Sequence, residues 1–196
     1  MKFSKDERKI MNLFKKEDII CNHKVVLIDK PTTSKGEPKT DIFIRLEDQD
    51  TLKIKDIKIS FKKANADFLE NKISKKRAYQ IFGEEWSNII FNSLLSIKDK
   101  FKNKSLIYKE QDWPTRAGSI TLGWKFELLN KPAGLLSGKL SLTKNQLKDI
   151  YAGTNLSASK KNAFINGEKI NDSGVANFML HGIADEFNTP EDVLEN

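Results

Sequence analysis

Three polar residues are spaced in the sequence so that they could form one site for a cation-dependent reaction of a phosphate group. Asp41 begins a segment in which apolar residues alternate, and Ser60 and Lys62 lie two positions apart in a second extended segment. Because side chains at i and i+2 of a β-strand point to the same face, we expect Ser60 and Lys62 to project together. The apolar neighbours Ile59 and Phe61 would then pack on the other side. A carboxylate beside a hydroxyl and an ammonium could bind a divalent cation and stabilise a developing negative charge.

These two segments resemble the motif of the PD-(D/E)xK nucleases, which have the restriction-endonuclease-like fold. In that family an Asp begins the second strand of a hairpin, and an acidic-x-Lys triplet lies in the next strand. Lys39-Thr40-Asp41 corresponds to the first half and Ser60-Phe61-Lys62 to the second, so the chain resembles a Ser-x-Lys variant. Two features depart from the family pattern. Pro38 precedes Asp41 by three positions rather than one, and Ser60 replaces an acidic residue.

The resemblance, which covers roughly residues 1 to 110, implies a set of site residues. Asp41, Ser60 and Lys62 are the implied catalytic residues, and Mg²⁺, with Mn²⁺ as a substitute, is the implied cofactor. Asp41 would be the principal metal ligand. Family members with Ser in the triplet recruit a carboxylate from the following helix, which here would be Glu70 or Asp67. An acidic residue of the N-terminal helix often joins the site as well.

Glu7 is the candidate for that N-terminal acid. It lies on the same stripe of a predicted amphipathic helix as the apolar residues Ile10 and Phe14, where a carboxylate needs a partner. Glu7 is also three positions after Ser4, which is the spacing of a capping box. The alternative to a metal ligand is therefore an ordinary capping glutamate.

Two other interpretations of the motif stay open from the sequence. Asp56-Ile57-Lys58 is a literal acidic-x-Lys triplet with the same strand parity as Ser60 and Lys62. The later triplet is preferred because apolar residues flank its first member on both sides. In the third interpretation, Asp41, Ser60 and Lys62 are surface residues of ordinary strands.

The charge of the chain favours a nucleic-acid partner. It carries 34 basic and 27 acidic residues, a formal net charge of +7, and such a surplus fits binding to DNA. A lysine-rich solvated surface is the alternative. Near the motif, the basic residues that could contact the phosphate backbone are Lys39, Lys63, Lys75, Lys76 and Arg77.

Other chemistries have little support in the sequence. His23 and His181 are isolated, with no Cys or His at zinc spacing, and no glycine-rich phosphate loop is present. Cys21 is the single cysteine, which excludes an intramolecular disulfide. No apolar run approaches the ~20 residues of a membrane span. We therefore expect a cytoplasmic protein in a reducing compartment, with no membrane partner.

The expected fold class is α+β or α/β, with a restriction-endonuclease-like core of helix, three-stranded antiparallel meander, helix and further strands. Residues 1–110 would form this core, and 111–196 a mixed C-terminal extension that completes the sheet or contacts a substrate or partner, in one continuous domain. The patterns predict helices over 4–20, 65–72, 74–83, 84–102, 143–153 and 176–183, strands over 25–28, 42–46, 52–63 and 119–129, and a hairpin turn at Asn166-Gly167.

Together, these features predict a metal-dependent DNA endonuclease of the restriction-enzyme type, in which a homodimer could cut both strands. The alternative is a catalytically inactive nuclease-like protein that binds nucleic acid or a protein, such as a decoy or inhibitor from a mobile element.

Overall fold

The computed structural model describes residues 4–34, 36–64, 68–103, 126–129, 136–140 and 142–195. Contacts in space divide the chain into two compact units. The first consists of Met1–Ala66 and Thr143–Asn196, and the second of Asp67–Leu142. The division into 1–110 and 111–196 that the sequence suggests stays a prediction.

The first unit is built on a five-stranded sheet. Its strands are β1 (Ile19–Ile20), β2 (His23–Asp29), β3 (Ile42–Asp48), β4 (Ile54–Lys63) and β9 (Phe178–Gly182), and they lie in the order β1-β2-β3-β4-β9. Strands β1 to β4 are antiparallel neighbours, whereas β9 pairs in parallel with β4. The predicted antiparallel meander is therefore present as β2, β3 and β4, and it brings the end of β4 beside the start of β3.

Apolar side chains pack on both faces of the sheet, whereas the alternation in β3 and β4 predicts one apolar face. One face carries a core in which strand residues meet residues from both ends of the chain: Ile42, Ile44, Ile57, Ile59, Phe61 and Leu180 with Ile10, Phe14, Phe187 and Val193. On the other face, Phe43 packs with Ile165, Ile170 and Leu27. Ile59 and Phe61 thus lie in the first core, as predicted, and strand alternation directs Ser60 and Lys62 away from it.

The N-terminal helix is shorter than the predicted 4–20. Helix α1 (Lys5–Met11) begins with the Ser4–Glu7 capping box, which confirms the predicted N-terminus. A tight turn follows, in which the Asp18 carboxylate accepts a hydrogen bond from the main-chain N–H of Lys15. Residues 19 and 20 then pair with β2 instead of continuing the helix. This pairing provides hydrogen-bond partners for their main-chain N–H and C=O groups.

Two further predicted helices are strands. Residues 68–73 form β5 (Phe68–Ile73), which pairs with β6 (Phe126–Leu129), and residues 178–182 form β9. In both segments a partner far away in the sequence overrides the local helical pattern. For β9 the gain is the burial of Leu180 in the core. The predicted strand over 119–129 is described only at β6, and its residues 119–125 lie outside the described residues.

The helices of the second unit follow the sequence more closely. Helix α2 (Lys75–Phe82) has Ser74 as its N-cap and Gly83 as its C-cap, as predicted. The helix predicted over 84–102 is divided into α3 (Trp86–Leu95) and α4 (Lys98–Lys102), with a short 3₁₀ turn before it. Near the break, the Ser93 and Ser96 hydroxyls donate to main-chain carbonyls of the preceding turn, a bond that competes with regular helix.

The C-terminal part of the first unit confirms two local predictions. Helix α5 (Lys144–Ala152) begins at the Thr143–Gln146 capping box and ends at Gly153 in the left-handed conformation. Strands β7 (Phe164–Ile165) and β8 (Glu168–Lys169) are joined by the predicted Asn166-Gly167 turn, in which both residues have positive φ. Helices α6 (Ala158–Lys161) and α7 (Pro190–Glu195) complete the elements.

The fold is a mixed α+β arrangement, in agreement with the predicted α+β class. The restriction-endonuclease-like core stays a prediction. Within the described residues, no helix has the length and apolar composition needed to cross a bilayer.

Candidate functional site

Asp41 is fixed at the point where β3 begins alongside the end of β4. Its main-chain N–H donates to the Ile59 carbonyl at 2.7 Å. Its carboxylate Oδ2 accepts a hydrogen bond from the main-chain N–H of Phe61 at 2.8 Å. Two consecutive bonds to β4 therefore hold Asp41 next to the strand segment that carries Ser60 and Lys62.

The loop that delivers Asp41 is held by Gly174. The Gly174 carbonyl accepts the main-chain N–H groups of Lys39 at 3.0 Å and Thr40 at 3.3 Å. A Cβ at position 174 would lie 1.9 Å from the Lys160 carbonyl oxygen and 3.0 Å from Cβ of Pro38. Only glycine fits this close approach of three chain segments, which fixes the path of the chain into Asp41.

The Asp41 carboxylate is in an unusual electrostatic environment. Burial raises its pKa to about 6, although the Phe61 N–H group and the Lys62 ammonium both lower it. Glu7 raises the pKa further and Lys30 lowers it. Asp41 therefore interacts with three charged side chains from three elements. Of the predicted site residues, Lys62 and Glu7 act electrostatically on Asp41, and Lys30, which pairs with Glu7, does so as well. We call these four residues the acidic centre.

Glu7 reaches the acidic centre from the first turn of α1. Its Oε2 accepts a hydrogen bond from the Ser4 main-chain N–H at 3.2 Å, so it has the predicted capping role. The same oxygen lies 2.5 Å from the Lys30 ammonium, and the two side chains are only 17% and 11% exposed. The capping and site interpretations of Glu7 are thus compatible, since one carboxylate does both.

Lys30 is the member of the acidic centre that the sequence did not identify. It directly follows β2 in a segment whose composition indicates a loop. The sequence indicated only that Glu7 would have a partner, because a carboxylate on an apolar helix stripe requires a cation or a hydrogen-bond donor. Nothing in the local pattern indicates that this partner comes from residue 30, which is 23 positions away.

Ser60 and Lys62 differ in their surroundings. Ser60 is 1% exposed, and its hydroxyl has no hydrogen-bond partner within the described part of the chain. Thr40, next to Asp41, has a second buried hydroxyl of the same kind. Lys62 is half-buried and lies beside His181 in the parallel pairing of β4 with β9. The interpretation of Ser60 as an ordinary surface residue is therefore wrong.

The rival triplet has a structural explanation. Asp56 lies directly opposite Arg45 in the β3–β4 register. Its two carboxylate oxygens accept hydrogen bonds from Nε and Nη2 of Arg45 at 2.7 and 2.9 Å. Such a bidentate pair occupies both oxygens of the carboxylate. The arrangement favours the Ser60–Lys62 triplet over Asp56-Ile57-Lys58 as the chemically available one.

Glu70 is on strand β5 of the second unit, not on a helix. Within that unit its carboxylate accepts hydrogen bonds from the Arg77 guanidinium at 2.5 to 3.1 Å, and both side chains are 11% exposed. The metal role of Glu70 and the nucleic-acid role of Arg77 stay predictions, but each group is engaged by the other. Asp67, the alternative carboxylate, lies outside the described residues.

The other basic candidates are distributed over both units. Lys63 pairs with Asp6 of α1 at 2.5 Å and is largely exposed. Lys39 is half-buried near Gly153. On α2, Lys75 and Lys76 are exposed, and the Lys75 ammonium lies 5.8 Å from the centre of the Trp86 ring. Their role in binding nucleic acid stays a prediction.

Comparison of the chain with protein-family models, with curated protein sequences and with solved structures found no match. The functional assignment therefore depends on the geometry of the acidic centre.

Proposed function

We propose that this chain is a metal-dependent phosphodiesterase that cuts DNA, with its reaction site at Asp41, Lys62 and Glu7. The observation that carries the proposal is the Asp41 carboxylate, whose burial raises its pKa to about 6 while Lys62 and Glu7 act on it from different elements. A half-buried acid with a shifted pKa and specific charged neighbours costs stability, and such arrangements concentrate at functional sites.

The donors of the acidic centre fit a hard divalent cation. Mg²⁺ prefers oxygen ligands and is usually held by one or two carboxylates together with substrate phosphates and several waters. Asp41 and Glu7 provide two carboxylates acting on one another, and they would be the protein ligands. Within the described ranges, no group of three or more His, Cys, Asp or Glu side chains could hold a metal ion. With two protein carboxylates, the remaining ligands of the cation would be phosphate oxygens of the substrate and waters.

Each member of the centre would have a distinct role in phosphodiester hydrolysis. When bound, the cation would neutralise charge on the scissile phosphate and make an attacking water more acidic. Asp41, fixed by the Phe61 N–H group, orients the site relative to β4. The Lys62 ammonium would stabilise the negative charge that develops on the phosphate oxygens. Ser60 is uncharged and cannot replace the missing carboxylate of the family motif.

The basic surplus of the chain supports DNA as the substrate. A net charge of +7 favours a polyanionic partner. Exposed Lys75 and Lys76 would contact phosphates without reading bases. The described residues form one such centre, so cleavage of both DNA strands would use two copies of the chain, as in a homodimer.

A second candidate function is favoured by the balance of charge in the acidic centre. Two carboxylates, Asp41 and Glu7, face two ammoniums, Lys30 and Lys62, and Ser60 adds no charge. A centre without net negative charge could bind DNA without cutting it, as a nuclease-like decoy or inhibitor. Such a protein would bind DNA in a salt-sensitive manner that does not require a metal.

Incubation of the purified protein with supercoiled, linear and single-stranded DNA in Mg²⁺ or Mn²⁺ tests the proposal. We expect cleavage that chelation abolishes and that Asp41→Asn and Lys62→Met each reduce by at least 100-fold, the order seen when one electrostatic catalytic group is removed. Asp185→Asn is the matched control, because its exposed carboxylate contacts only the surface residue Lys9 among the described residues. Salt-sensitive binding without any cleavage would establish the second candidate.

A further inference from the structure

The ion pair between Lys30 and Glu7 is buried inside the acidic centre. Its atoms are 2.5 Å apart, and both side chains are less than one-fifth exposed. The other ion pairs of α1 are more open: Lys9–Asp185 is 41% and 83% exposed, and Lys63–Asp6 is 56% and 31% exposed. Lys30 therefore differs from the surface lysines of the same region in both burial and location.

Burial of the Lys30 ammonium is unfavourable by itself, and the Glu7 carboxylate compensates for it. A buried ammonium is unfavourable unless a close carboxylate compensates for its lost hydration. Glu7 provides that compensation, and Ser4 fixes the Glu7 carboxylate through the helix cap. The same carboxylate acts on Asp41, with which Lys30 also interacts. One ammonium thus already neutralises the carboxylate that a second cation would bind, through its contact with Oε2.

We propose that Lys30 is a built-in counter-cation of the acidic centre, which occupies the Glu7 carboxylate in the metal-free protein and competes with a divalent cation for it. This inference rests on the proposed function and extends it, because it names the residue that limits metal affinity. In the metal-free protein, Lys30 provides the counter-charge for Glu7, and both Lys30 and Lys62 act on Asp41. The Lys30 ammonium repels a divalent cation that approaches Glu7, so metal binding is weaker than the carboxylates alone would allow.

The inference predicts an unusual direction of effect. Removal of a lysine from the centre should tighten metal binding, since one positive charge no longer opposes the entering cation. We expect the affinity of Lys30→Met for Mn²⁺ to rise by at least about tenfold, since a unit charge about 4 Å away changes a binding constant several-fold even with the screening of bulk water, and the effect is larger for a divalent ion. The metal-free variant should unfold at a lower temperature than the wild type, because its Glu7 carboxylate has lost its ion-pair partner and keeps only the hydrogen bond from Ser4.

Titration calorimetry with Mn²⁺ on the full chain, without nucleic acid, tests this. Lys30→Gln removes the charge but keeps a donor for Glu7, and should also bind more tightly; it serves as a second variant if Lys30→Met folds poorly. Lys30→Arg keeps the charge and should bind as the wild type does. Lys9→Met is the matched control, since it also removes one lysine of an ion pair on α1, but at the surface.

The outcomes separate the two proposals. Tighter binding by both neutral variants, with no change in Lys30→Arg or Lys9→Met, supports the counter-cation role. Equal or weaker binding by the neutral variants, with measurable binding by the wild type, overturns the role of Lys30 and leaves the metal site intact. Absence of binding by the wild type and every Lys30 variant overturns the metal site itself, and the inference with it. Binding that appears only in the neutral variants is the strongest support, because it shows a site that Lys30 masks.

Discussion

The main-chain N–H of Phe61 donates a 2.8 Å hydrogen bond to the Asp41 carboxylate. This bond joins the start of β3 to the part of β4 that extends beyond it. The acidic residue thereby has a fixed position relative to Lys62, the next residue of β4. Since burial still raises the pKa of Asp41 to about 6, the bond does not fully compensate for the loss of hydration. The following predictions test this arrangement and its surroundings.

Asp41→Asn should stabilise the metal-free protein above pH 6. The folded state keeps a proton on Asp41 that the unfolded state releases near its ordinary pKa of 3.8. The wild type therefore loses stability as the pH rises through about 6, whereas the amide, which can still accept from Phe61, does not. We expect Asp41→Asn to gain up to about 3 kcal/mol in free energy of unfolding at pH 8, and much less at pH 4.

Urea denaturation at several pH values, in the presence of a chelator, measures this difference. Asp185→Asn provides the comparison, because its carboxylate is exposed and paired at the surface. A loss of stability in Asp41→Asn at pH 8 would mean that the ionised carboxylate stabilises the fold, which would contradict the raised pKa of Asp41.

Asp56→Asn should separate the two candidate triplets. Asp56 forms a bidentate pair with Arg45 in the middle of the β3–β4 ladder. The amide can retain only part of this pairing, so we expect a stability loss of about 1 kcal/mol or less for this half-exposed pair. Metal-dependent DNA cleavage should stay near the wild-type rate. A loss of cleavage comparable with that of Asp41→Asn would restore Asp56-Ile57-Lys58 as the catalytic triplet.

Ser60→Ala should leave the protein as stable as the wild type or more stable. The buried Ser60 hydroxyl has no partner among the described residues, and an unsatisfied buried hydroxyl costs about 1–3 kcal/mol. Its removal should therefore raise the free energy of unfolding by about 1 kcal/mol. Thr40→Val removes the second such hydroxyl with little change in volume and should act in the same direction. Thermal unfolding would show a destabilisation instead if an ordered water satisfies these groups.

Gly174→Ala should destabilise the protein and displace the loop before Asp41. The added Cβ would lie 1.9 Å from the Lys160 carbonyl oxygen, a distance that backbone atoms cannot tolerate. Overpacking of this kind costs about 1–3 kcal/mol or more. Gly167→Ala is a useful comparison, because it has a positive φ but nothing within 4 Å of its Cβ. Gly174 is not among the described glycines with a positive φ, so its effect would come from the close approach, and a Gly174→Ala variant as stable as the wild type would contradict this explanation.

The sequence by itself determined the local features of this protein. Three helix N-caps could be predicted because their side chains accept hydrogen bonds from main-chain N–H groups a few residues away: Ser4, Ser74 and Thr143. The Asn166-Gly167 turn could be predicted because both residue types adopt positive φ readily. The alternation in β3 and β4 fixed which residues share a face, because a strand has a period of two. That is enough to predict that Ser60 and Lys62 point away from Ile59 and Phe61.

Only the tertiary structure decided which distant residues meet. Strands β5 and β9 were predicted as helices, since their pairing partners are remote in the sequence and local patterns carry no information about them. In the same way, a loop lysine at position 30 became the partner of Glu7, and Glu70 became the partner of Arg77. Burial, which raises the pKa of Asp41, is a property of the packed chain. Charges interact through space, and their distances exist only after the chain has folded.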